Sequence, residues 1–410
     1  MKLNYRWSFL MIIFATQTLH AQKGLNSIYS AYGIGNYNMR DQNANTGMGN
    51  VGVALPSQGT LNETNPASFA WLPKNKFMFE VSFDGLSTKY MTTDVNISAG
   101  DFTISRVALG FQLVKPLWTV FGLRKFSSVD YLTTNTHDIA GTNSGYVSTI
   151  EGNGGLYQVY MANSIKIQKH LTLGLTTGFV FGSINSTETI GAGTDILIED
   201  NNKYYNHGTI NAGAQYQFNA GKNNFMIGAF YEPQIALNVL EQNNLQNRSG
   251  GILVQREDKS YTFSFPQKYG AGLTWKKNAF TVSADAIIHS WSATGYKGNN
   301  FSTTDAASYS VGVRHQPNKQ GVFGTVPGIG LYAGFNFENA YLVVDNYQLQ
   351  SKSFSIGASF PSKNTLNTYA IGLKVGTRGE AVYPLVKENF IQFNFTLSLG
   401  SYFLKGPRYD

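Results

Sequence analysis

The chain offers few side chains able to do covalent chemistry. Cysteine is absent, which removes thiol nucleophiles, thiolate metal sites and disulfides. The six histidines, His20 included, show no metal-ligand spacing. His289-Ser290 is the one adjacent pair worth weighing as base and nucleophile. It lies in an alternating segment, where neighbouring side chains point to opposite faces, and alternation puts His289 on the inward one. Neither G-x-S-x-G nor H-E-x-x-H occurs, so no enzyme, metal or cofactor is expected. Gly47, Gly49 and Gly52 match G-x-G-x-x-G. The strand, helix and further βαβ unit of a dinucleotide site are missing, and the glycines are read as permitting tight turns.

Binding chemistry rests instead on cations. Alternation turns Arg106, Arg124, Lys166, Arg314 and Lys374 to one face, together with Glu80, Asp285 and Glu338. In a largely uncharged interior one such cation would anchor a ligand carboxylate. The reading to prefer for most of them is that they pair with the inward acids and brace the fold, with one or two left as anchors. Arg106 and Arg314 have small neighbours, Ala108, Gly110 and Gly312, that leave room beside them. The candidate binding set is therefore Arg106, Arg124, Arg314 and Lys374.

The elements that must carry these residues are strands. In 105–114, Val107, Leu109, Phe111 and Leu113 alternate with Arg106, Ala108, Gly110 and Gln112. The pattern recurs in 76–84, 117–126, 156–167, 171–182, 209–220, 225–232, 269–276, 279–289, 308–315, 329–337, 354–360, 369–376 and 389–400, with 260–266 a weaker candidate. That makes fourteen segments. The connections alternate between long and short. The short ones carry turn chemistry, as in Lys115-Pro116, Gln168-Lys169-His170, Gly221-Lys222-Asn223-Asn224 and Lys277-Asn278. The long ones, such as 127–155 and 183–208, are rich in Asn, Thr, Ser and Gly. Short periplasmic turns and long outer loops are the rhythm of an outer-membrane barrel, whereas a soluble sandwich gives no reason for it. Aromatics near the segment ends, Phe126, Tyr216, Tyr231, Tyr269, Trp275, Tyr309 and Tyr369, suit interfacial girdles.

Composition agrees. Charged residues make up 13% and aromatics 14%, with 43 Gly. The formal charge of +7 falls to +5 without Lys2 and Arg6 and is scattered, so no nucleic-acid partner is expected. Lys2 and Arg6 precede the apolar run Trp7–Ala15, and Ala21 closes a signal-peptide pattern that implies export. Beyond it no run approaches 18 apolar residues, so spanning must be by a closed barrel.

Residues 22–75 have no place among the strands. They hold TGMGNVGVALP (Thr46 to Pro56) and ETNPASFAWLP, in which Asn65 is a good N-cap and Pro66 fits a first helical turn. Ala67 follows, and Phe69, Trp71 and Leu72 add an apolar surface that would pack inside a barrel. GMGNVGVA followed by NPAS and the first strand resembles the N-terminal hatch of FadL-type outer-membrane transporters (OMPP/FadL/TodX-like), the long-chain fatty acid and hydrocarbon channels. Tyr269–Ser292 and Tyr309–Pro317 look like consecutive late strands of that family.

The resemblance implies an all-β chain: a transmembrane antiparallel β-barrel of about 14 strands, plugged by an N-terminal hatch of short helices and loops. The organisation expected is a signal peptide over 1–21, hatch 22–75, barrel 76–400 and tail 401–410, located in the outer membrane of a Gram-negative cell. It implies passive uptake of a small hydrophobic ligand, with lateral release into outer-membrane lipid; the family's third strand usually carries the opening, and Gly122 is compatible with one. Some relatives with similar segments serve type IX secretion, so the alternative is a structural barrel acting through a secretion-system or accessory protein partner. A general porin would not spend fifty residues ahead of its first strand. An outer-membrane lipase would need a lipid-facing His and Ser constellation. The tail departs from the usual aromatic ending of such barrels.

Overall fold

The computed structural model describes residues 27–402, apart from 38, 93–95, 139–140, 142–144, 193–194, 299, 322–323, 363–366 and 383–384. The expected signal peptide and all of the expected tail beyond Tyr402 lie outside the described residues.

Fourteen antiparallel strands form the wall. They are β1 (Lys76–Met91), β2 (Asn96–Val114), β3 (Leu117–Asp138), β4 (Gly145–Ile167), β5 (Leu171–Ala192), β6 (Asp195–Ala220), β7 (Asn223–Glu232), β8 (Lys268–Lys277), β9 (Phe280–His289), β10 (Ala306–His315), β11 (Gly330–Val344), β12 (Tyr347–Pro361), β13 (Thr368–Arg378) and β14 (Lys387–Tyr402). Each pairs with the next, and β14 returns to β1 from Lys76↔Tyr402 to Met91↔Lys387, which closes the barrel. Closure pairs the strands around the barrel, as a lipid environment demands, except along one stretch between β2 and β3.

Alternation decides which residue faces what. Leu109, Phe121, Val159, Leu175, Ile210, Val311 and Ile371 are exposed on the outside. Ser164, Ser283, Ser308, Ser310, Ser353 and Ser355 are buried on the inside. Tyr216, Tyr231, Tyr269, Tyr309 and Tyr369 are exposed near strand ends, as expected of girdle residues. Phe126 is not: it is buried. The register shifts between Lys125 and Ser127, so the extra residue Phe126 turns into the lumen.

The strands outrun the segments legible in the sequence. β3 to β6 have 22, 23, 22 and 26 residues, far beyond the roughly 9–11 a tilted spanning strand needs. The supposed loops 127–155 and 183–208 are therefore largely ladder. Above the membrane both faces are wet, so a strand has no apolar face to alternate with and reads as a polar loop. Ile235–Asn247 continues this projecting sheet on β6, and Lys259–Phe265 folds back along it, taking in the weaker candidate segment.

Residues 27–75 lie within the lumen. They contain 3-10 turns at Ile28–Ala31, Thr46–Met48 and Pro66–Trp71, and a two-residue bridge, Asn36–Tyr37, paired with Ser127 and Ser128 of β3. The Asn65 side chain accepts a hydrogen bond from Ala67 N at 3.0 Å, which is the anticipated cap on a turn tighter than an α-helix.

Candidate functional site: the luminal segment, a charged cavity and a wall seam

The segment sits on a girdle of wall glycines. A Cβ on Gly174, Gly213 or Gly228 would overlap Pro66, Asn65 or Val53. On the far side a Cβ on Gly312 or Gly334 would overlap Met48 or Gly49, and one on Gly357 or Gly372 would lie 2.9 Å from Gly47. The segment's own glycines complete the fit: Gly47 presses on Gly357, and Gly49 has a positive φ of 72°. The G-x-G-x-x-G match is thus a packing device: Gly47 and Gly49 meet wall backbone, and Gly52 makes room for the Thr64 and Asn62 side chains within the segment.

Polar locks accompany the close approach. Asn65 Nδ2 donates to Val53 O (2.9 Å), Ala214 O and Ala229 O (both 3.1 Å), tying the segment to β6 and β7. Asp285 on β9 accepts from Gly52 N (2.5 Å) and Val53 N (2.9 Å) and lies 3.7 Å from Arg40, which also donates to Ser308 Oγ at 2.7 Å. Replacing Asn65 with Ala removes the cap and its donations to Ala214 O and Ala229 O, while Val53 O keeps its bond from Gln215 Nε2. An expected loss of about 1–2 kcal/mol, read as a lowered urea midpoint for release of the segment to protease, checks this lock.

A second set of ions brackets the other end. Arg106 of β2 pairs with Glu80 of β1 and lies 3.3 Å from Glu63 of the segment. Glu80 accepts from Leu61 N at 2.8 Å, and Tyr160 donates to Glu63. Arg124 of β3 pairs with Asp41 at 2.8 Å and donates to Gln158 at 2.7 Å. Burial alone would raise the Asp41 carboxyl; Arg124 beside it, aided by Lys268 and Arg106, holds it below the usual range. A depressed carboxyl stabilises the fold above its unfolded pKa and loses that contribution as the pH falls through its folded value.

Between these ions lies a cavity of about 130 Å³, lined by Asn36, Tyr37, Arg40, Asp41, Gln42 and Glu63 of the segment, by β1, β2, β3, β13 and β14, and by Lys268 of β8. Its wall is incomplete on one side. β2 and β3 pair from Val114↔Leu117 up to Arg106↔Arg124 and no further, although both strands continue. Ser105 is an extra residue in β2 at that height, since Arg106 faces Ser82 and Ile104 faces Phe83. Beyond this point the Asn36–Tyr37 bridge occupies the free edge of β3, and Lys125 of β3 reaches Asp101 of β2 at 3.9 Å. Gly122 lies below the seam, in the paired stretch, where it makes room for the Tyr160 ring.

Above the cavity the lumen is apolar. Tyr37 packs against Phe126 (5.2 Å between centroids), Phe265 (5.1 Å) and His289 (5.3 Å), and Phe265 meets Trp291 at 5.5 Å. His289 is fully buried here, and neither ring nitrogen has a hydrogen-bond partner. Ser290 sits just beyond the end of β9, accepting from Gln267 Nε2 at 3.4 Å.

Of the candidate binding residues, Arg106, Arg124 and Lys374 line the one cavity, while Arg314 lies at the short-turn mouth. Arg106 and Arg124 are committed to carboxylates; Lys374 has no ion pair among the described residues and shares a smaller adjoining cavity with Glu338. Lys166 lies 3.6 Å over the Trp71 ring. Among the segment residues, Phe69 is buried with Leu61 and Leu72 against Trp118 and Val120 of β3. Sequence reasoning missed Arg40, Asp41 and Glu63. Nothing in a structureless stretch marks which polar residue meets the wall.

No curated protein matches the chain in sequence. Several solved structures share its fold. The Ralstonia pickettii toluene transporter TbuX superposes with a TM-score of 0.63 at 14% identity, over 88% of this chain and 98% of that one. A Pseudomonas aeruginosa FadL homologue gives 0.62 at 13% identity, over 89% and 98%. The P. putida toluene transporter TodX gives 0.63 at 13% identity, over 90% and 100%. The expected resemblance to FadL-type transporters therefore holds at the level of the barrel. A family model, that of BamG, matches residues 5–410, and the chain belongs to the BamG family.

Proposed function

We propose that the chain is an outer-membrane channel that passes small hydrophobic molecules from the aromatic upper lumen to the cavity and out sideways between β2 and β3, with residues 22–75 as its hatch. The observation that carries this reading is the break in the β2–β3 ladder where it borders the cavity. In lipid an unpaired ladder edge is costly, so its presence calls for a function. Solved barrels of this fold include proteins described as toluene transporters. A cavity of about 130 Å³ has room for one small molecule. A longer chain would require Tyr37 and Arg40–Gln42 to move. Lys374 and Lys268, which line the cavity without an ion pair among the described residues, are the cations open to a carboxylate head group, with Arg106 and Arg124 holding the site's shape.

The chain has no cysteine, so Asp101→Cys with Lys125→Cys places two unique thiols across the seam. Bridging them with a bis-maleimide should abolish uptake of labelled toluene by cells lacking their own transporter, while the unbridged double variant transports. Unchanged uptake by the bridged protein would refute lateral exit. Lys374→Gln should weaken oleate uptake and spare toluene.

A second reading, a barrel acting through a secretion-system or accessory protein partner, is favoured by the projecting sheet of β3 to β6, which exceeds any spanning need. A stoichiometric protein that co-purifies in mild detergent, together with absent uptake, would establish it over the channel.

A further inference from the structure

The opposite end of the barrel carries its own pocket, which the channel reading does not use. It encloses about 310 Å³ beneath Leu55 and Pro56 of the luminal segment. Three cations reach it from separate places: Lys222 from the β6–β7 turn, Lys276 from β8 and Arg314 from β10. No carboxylate lines it, and none of the three has an ion pair among the described residues. The contrast with the charged cavity higher in the lumen, where each arginine meets an acid, is sharp. The remaining lining is dominated by amides and hydroxyls, including Gln217 and Asn224.

The charge around this mouth is one-sided as well. The turns and strand ends that surround it bring Lys115, Lys169 and Lys277, and no Asp or Glu among the described residues stands in these short connections. Like charges gathered without counter-ions repel one another, so the arrangement costs stability unless an anion completes it. Short turns face the periplasm in barrels of this kind.

We infer that the short-turn mouth is a binding site for an acidic peptide segment of a periplasmic protein, with Lys222, Lys276 and Arg314 receiving its carboxylates. The volume falls at the low end of ligand sites, about 300–1,000 Å³. Arg314 supplies a planar fork for a bidentate carboxylate, and the amides suit peptide backbone. Lipid phosphate is the weaker candidate on geometry. The pocket opens inside the wall: Thr274 and Thr281, which also line it, are buried inward-facing residues. A head group would have to leave its leaflet to arrive there.

The test is fluorescence anisotropy of a labelled Asp/Glu-rich peptide with the purified full chain in nanodiscs of phosphatidylcholine. Saturable binding is expected that weakens with salt, falls by about tenfold or more in Lys276→Gln/Arg314→Gln, and falls far less in Lys169→Gln, which lies at the mouth but outside the pocket. Lys222→Gln, in a turn, should lower affinity by several-fold and serves where the double variant does not fold by heat-modified gel mobility. Equal binding of a neutral peptide of the same length overturns the inference. So does full affinity in the double variant, or in Lys222→Gln where the double variant does not fold. Displacement of the peptide by inorganic phosphate or by phosphatidylglycerol in the disc would assign the pocket to phosphate and overturn it equally.

Discussion

Arg106→Ala is expected to destabilise the barrel by about 3–5 kcal/mol, the range for removing one partner of a buried ion pair. Arg106 is 3% exposed and stands between Glu80, fully buried, and Glu63, 7% exposed. Truncation leaves two carboxylates facing each other, largely shielded from bulk water. Each must then take up a proton or find another donor, and Glu80 keeps only its bond from Leu61 N. The measurement is equilibrium unfolding in urea of the detergent-folded protein, followed by tryptophan fluorescence and heat-modified mobility. The double variant Arg106→Ala/Glu80→Gln should recover part of the loss, because it removes a stranded charge. A loss below about 1 kcal/mol would place the pair among solvent-screened ones and contradict its burial.

Gly213→Val combined with Gly334→Val is expected to drive the luminal segment from its seat without dismantling the wall. At Gly213 the new side chain would overlap Asn65, and at Gly334 it would overlap the backbone of Met48 and Gly49. Overpacking of this kind costs about 1–3 kcal/mol per site. Valine favours strands, so the wall strands β6 and β11 tolerate it. The strain is relieved by moving the segment, which meets Gly213 through the Asn65 and Pro66 side chains and Gly334 through its backbone. Single-channel conductance in planar bilayers should rise several-fold, and residues 27–75 should become accessible to added protease while the barrel core stays resistant. Unchanged conductance with a resistant segment would show that the girdle yields instead. Deleting residues 22–74 should raise leakage in the same sense, but it also strands Arg40's and Asp41's partners, Asp285 and Arg124. The glycine variant is the cleaner experiment.

Much of this architecture is legible in the residues alone, and the reason is lipid. A spanning strand must be apolar on one face and may be small or polar on the other, which writes a two-residue period into the chain. β5 is legible as Leu171, Leu173, Leu175, Phe179 and Phe181 against Thr172, Gly174, Thr176, Gly178 and Gly182. Its continuation through Ala192 is not, since water on both sides removes the period. The barrel closure follows from the same demand, because an open edge is not tolerated in hydrocarbon. The short turns, the strand number and the inward direction of Arg106, Arg124 and Lys374 are all consequences of that one pattern.

The pairing of charges was beyond it. Alternation aims Arg106 inward but says nothing about Glu63, which lies in a stretch with no period and meets Arg106 only because Pro66–Trp71 is seated by Gly174 and Gly213. Arg314 shares its direction with Arg106, yet stands near the short-turn end of β10, where no acid among the described residues pairs with it. Phe126 is an interfacial aromatic by position and a luminal one in fact, because a single bulge residue reverses its face. The sequence by itself determined the barrel, since lipid imposes its pattern residue by residue along each strand. Only the tertiary structure decided which cations are tied, which stay free and where the wall parts, since those depend on contacts between strands and a segment far apart in the chain.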